Sequence, residues 1–221
     1  MRTSAIMLLS LLVIAALCVS ASAAIETVTC PQPGPINIGW NLLSLPAIPT
    51  DPTPTAVFAD YGSAAIDGYL YRWDAASQSM FIYSVWGGDF GNMLLTDGYW
   101  LQLGQVGANP LSFEGITDND DTDMWISLPK TGWTIIGCPF SYSVNWNTVE
   151  ITDGTATVPL AAARDSGWLT SWTYWWDSTG GNLKTMGLDD DWTDTVMLEP
   201  WHGFWVQSKR DNLALIVPAT I

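Results

Sequence analysis

Three short blocks occur twice in the chain in the same order, and this repetition constrains the fold more than any other feature. Gly39-Trp40-Asn41-Leu42-Leu43-Ser44-Leu45-Pro46 is matched 93 residues on by Gly132-Trp133-Thr134-Ile135-Ile136-Gly137-Cys138-Pro139. Gly68-Tyr69-Leu70-Tyr71-Arg72-Trp73-Asp74 is matched at an offset of 103 by Ser171-Trp172-Thr173-Tyr174-Trp175-Trp176-Asp177. Gly98-Tyr99-Trp100-Leu101-Gln102-Leu103 is matched at 105 by Gly203-Phe204-Trp205-Val206-Gln207-Ser208. A sequence that repeats in order folds as similar units that dock on one another. The widening offset places insertions in the second copy, at 145–167 and around 200–202.

The blocks read as strands. Tyr69, Tyr71 and Trp73 alternate with Leu70, Arg72 and Asp74, and Trp172, Tyr174 and Trp176 keep the same phase. A period of two with aromatic enrichment is a strand signal. The Gly-Trp block is apolar on both faces, which predicts a central, covered strand. Further strands are expected at 80–85, 111–115, 124–128, 156–158 and 213–217, and short helical turns at 52–61 and 158–164, each with a proline near its start. The fold class is therefore mainly β: two duplicated antiparallel, sandwich-like β units with a few short helical turns, packed as one pseudo-twofold assembly. Unit 1 spans 24–117, an acidic linker 118–123, and unit 2 124–221. Three recurring strands per unit are few for independent stability, which favours docking of the units.

The combination GWNLLSLP, then a Tyr-x-Trp-Asp strand, then Gly-Tyr-Trp or Gly-Phe-Trp resembles the GWNLxSLP/GYW-type β repeat modules of large secreted and cell-surface proteins of bacteria and archaea. The resemblance covers both halves; the second copy departs at Thr134, Gly137 and Cys138. It implies an extracellular, β-rich, non-catalytic module, and carries over no catalytic residue.

The first 23 residues are laid out as a signal peptide: Arg2, an apolar run from Ile6 to about Val19, then Ala21-Ser22-Ala23, with cleavage expected after Ala23. The apolar run falls short of the ~20 residues a membrane span needs, so no membrane association is expected after cleavage. Loss of the leader removes Cys18 and leaves Cys30 and Cys138, a candidate disulfide in an oxidising compartment or two buried thiols. With 22 acidic and 7 basic residues the formal charge is −15. A chain so acidic has no cationic surface for a phosphate backbone, which excludes nucleic acid as a partner.

The 14 tryptophans carry most of the functional signal. Six recur in the repeat (Trp40/Trp133, Trp73/Trp176, Trp100/Trp205) and are expected to pack inward as architecture. Others stand in loop-like stretches of the second half, and Trp146, Trp168, Trp172 and Trp192 beside Asp and Asn form a candidate sugar-stacking set. Crowded carboxylates suit Ca²⁺, with Asp118, Asp120, Asp121 and Asp123 as candidate ligands and 189–194 as a second acidic run; both also read as solvated turns, and no other cofactor is implied. His202 is the single histidine, it precedes a strand, and no nucleophile, metalloprotease or P-loop motif occurs. The sequence reading is a secreted, non-catalytic structural or interaction module of the cell surface or extracellular space, with other surface proteins or glycans as partners. The alternatives are a carbohydrate-binding protein using the loop tryptophans and, third, a glycoside-active enzyme.

Overall fold

The computed structural model describes residues 24–32, 34–105, 110–117, 122–188 and 193–219. The expected leader at 1–23 lies outside the described residues. The described residues are mainly β, 43% of them in strand, with antiparallel sheets in a four-bladed, propeller-like ring. The first half supplies β1 (Ile25–Thr29), β2 (Gly39–Ser44), β3 (Ile48–Pro49), β4 (Leu70–Asp74), β5 (Ser79–Ile82), β6 (Gly98–Leu103) and β7 (Ser112–Ile116). The second supplies β8 (Met124–Leu128), β9 (Gly132–Gly137), β10 (Val144–Asn145), β11 (Glu150–Thr152), β12 (Thr157–Pro159), β13 (Thr173–Asp177), β14 (Asn182–Met186), β15 (Met197–Leu198), β16 (Gly203–Ser208) and β17 (Leu213–Val217). Among the described residues three short helices, α1 (Pro54–Val57), α2 (Ser63–Ile66) and α3 (Leu160–Asp165), complete the frame with a 3-10 turn at Trp146–Thr148. α1 begins on proline, whose fixed φ suits the first helical turn.

Strand order repeats between the halves. β2-β6-β4-β5 has its counterpart in β9-β16-β13-β14, and β1-β7-β3 in β8-β17-β11, to which the second half adds β12 at the edge. The added strand falls in the 145–167 stretch where the sequence carries its insertion. In each half, alternation along the strands sends one set of side chains into a core. Leu43, Leu45, Leu70, Tyr99, Leu101 and Phe113 belong to the first, and Ile126, Ile136, Ile151, Phe204, Val206 and Leu215 to the second.

β2 and β9 are edge strands, not the central ones expected from their two apolar faces. They are covered because each edge is stitched to the other half. The Ser44 amide donates to the Trp201 carbonyl at 3.2 Å, and the Gly137 amide to the Thr96 carbonyl at 2.7 Å. Single antiparallel bridges join Leu43 to His202 and Ile136 to Asp97. Ser44 and Gly137, and likewise Thr96 and Trp201, are matched repeat positions, and the latter two share a left-handed backbone, φ 72° and 67°. This edge-to-edge closure satisfies main-chain groups that an exposed edge would leave open.

The candidate disulfide does not form. Cys30 and Cys138 are free and buried, Cys30 in the first core and Cys138 in the second. Burial pushes each thiol up to about 12. Of the two readings open in the sequence, the structure has the small buried hydrophobe.

Candidate functional site: paired aromatic grooves

The six repeat-matched tryptophans belong to neither core. On β2, β4 and β6 the residues Trp40, Tyr71, Trp73 and Trp100 share the sheet face turned away from the first core, because directly opposed residues of an antiparallel pair lie on one side: Leu42 opposes Trp100, and Tyr71 opposes Trp100 from the other strand. Trp133, Tyr174, Trp176 and Trp205 do the same on β9, β13 and β16. These two aromatic faces meet. Trp100 packs edge-on to Trp176 with ring centroids 5.6 Å apart at 66°, and Trp73 to Trp205 at 5.3 Å and 69°. Two indole hydrogen bonds cross the same seam, Trp73 Nε1 to the Trp133 carbonyl and Trp176 Nε1 to the Trp40 carbonyl, both 2.7 Å. Edge-to-face pairs add about 0.5–1.5 kcal/mol each beyond area burial, so the centre of this seam is structural.

The flanks are open. On one side Trp40, Tyr71, Met80 and Trp100, with Trp176 from across the seam, wall a groove of about 460 Å³. On the other, Trp133, Tyr174, Leu183 and Trp205, with Trp73, Trp100 and Trp176, wall one of about 570 Å³. Corresponding walls have corresponding geometry. Trp40–Trp100 stand at 5.8 Å and 89°, Trp133–Trp205 at 6.0 Å and 88°, and Trp40–Tyr71 and Trp133–Tyr174 at 5.7 and 6.0 Å. Trp40 is 39% exposed, and Met80 and Leu183 project at the rims at 39% and 55%. The repeat tryptophans are thus interface at their centre and groove wall at their margin, where the sequence placed them wholly inside.

The loop set does not assemble into a surface. Trp146 and Trp168 are 3% and 7% exposed in the second core, with Arg210 stacked 4.7 Å over the Trp168 ring, so neither offers a face to a ligand. Trp146 opens a 3-10 turn whose N-cap, Asn145, accepts from the Asn147 amide; this turn tucks the indole inward. Trp172 is exposed at 46%, and Trp192 lies outside the described residues. Asp118, Asp120 and Asp121 also lie outside them; Asp123 accepts from the Ala219 amide at 3.0 Å. Among the described residues no group of three or more His, Cys, Asp and Glu is placed to hold a metal.

A second, polar pocket of about 490 Å³ opens where Pro31, Gly34 and Pro35 of the first half meet Trp175, Asp177, Glu199 and His202 of the second. His202 Nδ1 lies 3.7 Å from a Glu199 oxygen, and its ring stands perpendicular to Trp175 at 5.3 Å. Burial lowers the His202 pKa, with Glu199 and Asp177 pulling the other way. The matched position in the first half is Asp97, whose carboxyl burial pushes up to about 6 against the attraction of Arg72. Arg72 itself matches Trp175, and the Arg72 Nε and Trp175 Nε1 atoms are both buried without a hydrogen-bond partner. No motif in the sequence marked this pairing; the repeat offset alone could have drawn Asp97 and His202 together.

No family model, curated protein or solved structure matches the chain. Among the described residues no helix is long and apolar enough to cross a membrane.

Proposed function

We propose that this protein is a secreted, non-catalytic interaction module of the cell surface or extracellular space, built from two copies of the GWNLxSLP/GYW-type repeat it resembles. Its contact surface is the pair of aromatic grooves. The observation that carries this reading is that eight tryptophan and tyrosine side chains, which a protein buries wherever it can, are held half-open by a seam that needs only their inner edges. Persistent exposed apolar surface of this kind marks binding. The groove walls carry no carboxylate, imidazole or thiol, and apart from the Tyr71 and Tyr174 hydroxyls they offer a partner contact surface and no acid or base. The test is co-sedimentation of the protein with purified cell-envelope glycan and with envelope protein fractions. Trp40→Ala and Trp133→Ala together are expected to reduce retention at least tenfold; retention unchanged in the double variant removes the grooves from the function.

A second reading, hydrolysis of a glycoside, is favoured by one observation: Asp177 and Glu199 line the polar seam pocket together with Trp175. Two carboxylates flanking a bound sugar could act as acid and base. New reducing ends released from polysaccharide by the native chain and abolished by Glu199→Gln would establish that reading over the first.

A further inference from the structure

We infer that the two grooves are equivalent sites for one ligand class, a neutral polysaccharide of flat, equatorially substituted pyranose rings, so that one chain grips such a polymer at two points. This rests on the grooves being the contact surface and adds the ligand and the number of sites. Charge speaks first. The chain carries a net −15, yet no charged side chain lines either groove. An anionic glycan is repelled by the surroundings and a cationic one finds no carboxylate in the walls. A neutral ligand meets neither penalty.

Shape and polarity narrow the class. An all-equatorial pyranose presents apolar C–H faces and carries its hydroxyls around the edge. Laid on an indole, it buries the face and leaves the hydroxyls free, which avoids the cost of desolvating them. The near-perpendicular pairs Trp40/Trp100 and Trp133/Trp205 give each groove such a platform with a side wall. In register beside Trp40 stands Gln102, and beside Trp133 stands Gln207. Each amide offers donors and an acceptor on the same face as the rings, suited to edge hydroxyls. A proline-rich peptide also docks on aromatic grooves, but there it needs N–H and O–H donors for its carbonyls. The Trp73 and Trp176 indoles donate to main-chain carbonyls within the fold, and the Tyr71 hydroxyl donates to the Gly68 carbonyl at 3.1 Å. With those three donors engaged within the fold, the Gln102 and Gln207 amides, one in register beside each platform, suit the edge hydroxyls of a ring better than the successive carbonyls of a peptide.

The experiment is a calorimetric titration of the full mature chain with cellohexaose, followed in parallel by tryptophan fluorescence. Met80→Glu and Leu183→Glu each place a charge at one groove mouth, and both residues are exposed and outside the two cores, so folding is preserved. The expected result is two equal sites in the native chain, one in either variant and none in the double variant. A single site lost in only one variant overturns equivalence while leaving a groove as the contact surface. Absence of cellohexaose binding, with a proline-rich peptide bound instead or with a dimer that the double variant dissolves, overturns the carbohydrate assignment. Two sites indifferent to both variants overturn the groove reading itself.

Discussion

Asp97 and His202 occupy matched positions at the two ends of the seam and titrate in opposite senses. The folded Asp97 carboxyl is raised by burial to about 6 from 3.8, so the native state holds a proton that the unfolded chain has released. Its contribution favours folding below the unfolded value and is lost as pH rises from about 4 through about 6, a change of at most about 3 kcal/mol. The folded His202 is lowered by burial, so its contribution is present above the unfolded value of 6.5 and is lost as pH falls through the folded one. Asp97→Asn is therefore expected to raise Tm relative to the native chain at pH 7 and to leave it unchanged near pH 3.5. His202→Gln should help only on the acid side. Melting curves of both variants between pH 3.5 and 8 check this, and a difference that does not vary with pH would refute it. The thiols give a second residue-scale prediction. With both folded values near 12, Cys30 and Cys138 stay protonated and shielded at neutral pH. Native protein should react with a thiol reagent at least a hundredfold more slowly than denatured protein, which should then show two thiols if the leader has been cleaved and three if Cys18 is retained.

At the scale of strands, the seam depends on two residues without side chains. A Cβ on Gly98 would lie 2.0 Å from Ile135 Cγ2, and one on Gly137 2.2 Å from Ser44 Cβ. β6 approaches β9, and β9 approaches β2, because these positions are glycine, and overpacking at such contacts costs about 1–3 kcal/mol or more. Gly98→Ala and Gly137→Ala should each lower Tm by several degrees, whereas Gly104→Ala, where an added Cβ meets nothing within 4 Å, should be close to neutral. Equal melting of the three variants would show that the close approach is unimportant. The same strands show what sequence could and could not reveal. Met124–Leu128 and Leu213–Val217 were legible to the residue, because each is a short, almost wholly apolar run between punctuating turns. β2 and β9 were legible as strands but not as edges: Leu42 and Leu43 are equally apolar whether covered by a neighbouring strand or by another sheet. For the same reason the period of two put Tyr71 and Trp73 on one face without telling which face was the core. Trp146 and Trp168 misled because a polar neighbourhood in sequence says little of where a turn or a helix end directs an indole.

At the scale of the whole molecule, two cores behave as one only if something couples them, and beside the seam one residue does so from inside a core, Trp201. It stands in the second half, two residues before β16, yet it is 4% exposed in the first core, with its ring 5.8 Å from Phe113. Its carbonyl accepts the Ser44 amide, so the residue both plugs the first core and closes the β2 edge. The matched position in the first half is Thr96, whose carbonyl accepts the Gly137 amide but which has no ring to insert. The coupling is therefore lopsided: the first core is completed by the second half, while the second core draws all its buried members from its own half. Replacing Trp201 by alanine keeps the main-chain bond and removes the plug, a truncation that costs about 3–5 kcal/mol in a well-packed site. Because most of that loss falls on the first core, the variant should unfold in two steps, the first half melting before the second. The native chain should unfold in a single transition with equal calorimetric and van't Hoff enthalpies. Scanning calorimetry of the two proteins decides the matter. One unchanged transition in Trp201→Ala would mean that the four-tryptophan seam alone couples the halves, and two transitions in the native chain would mean that nothing does.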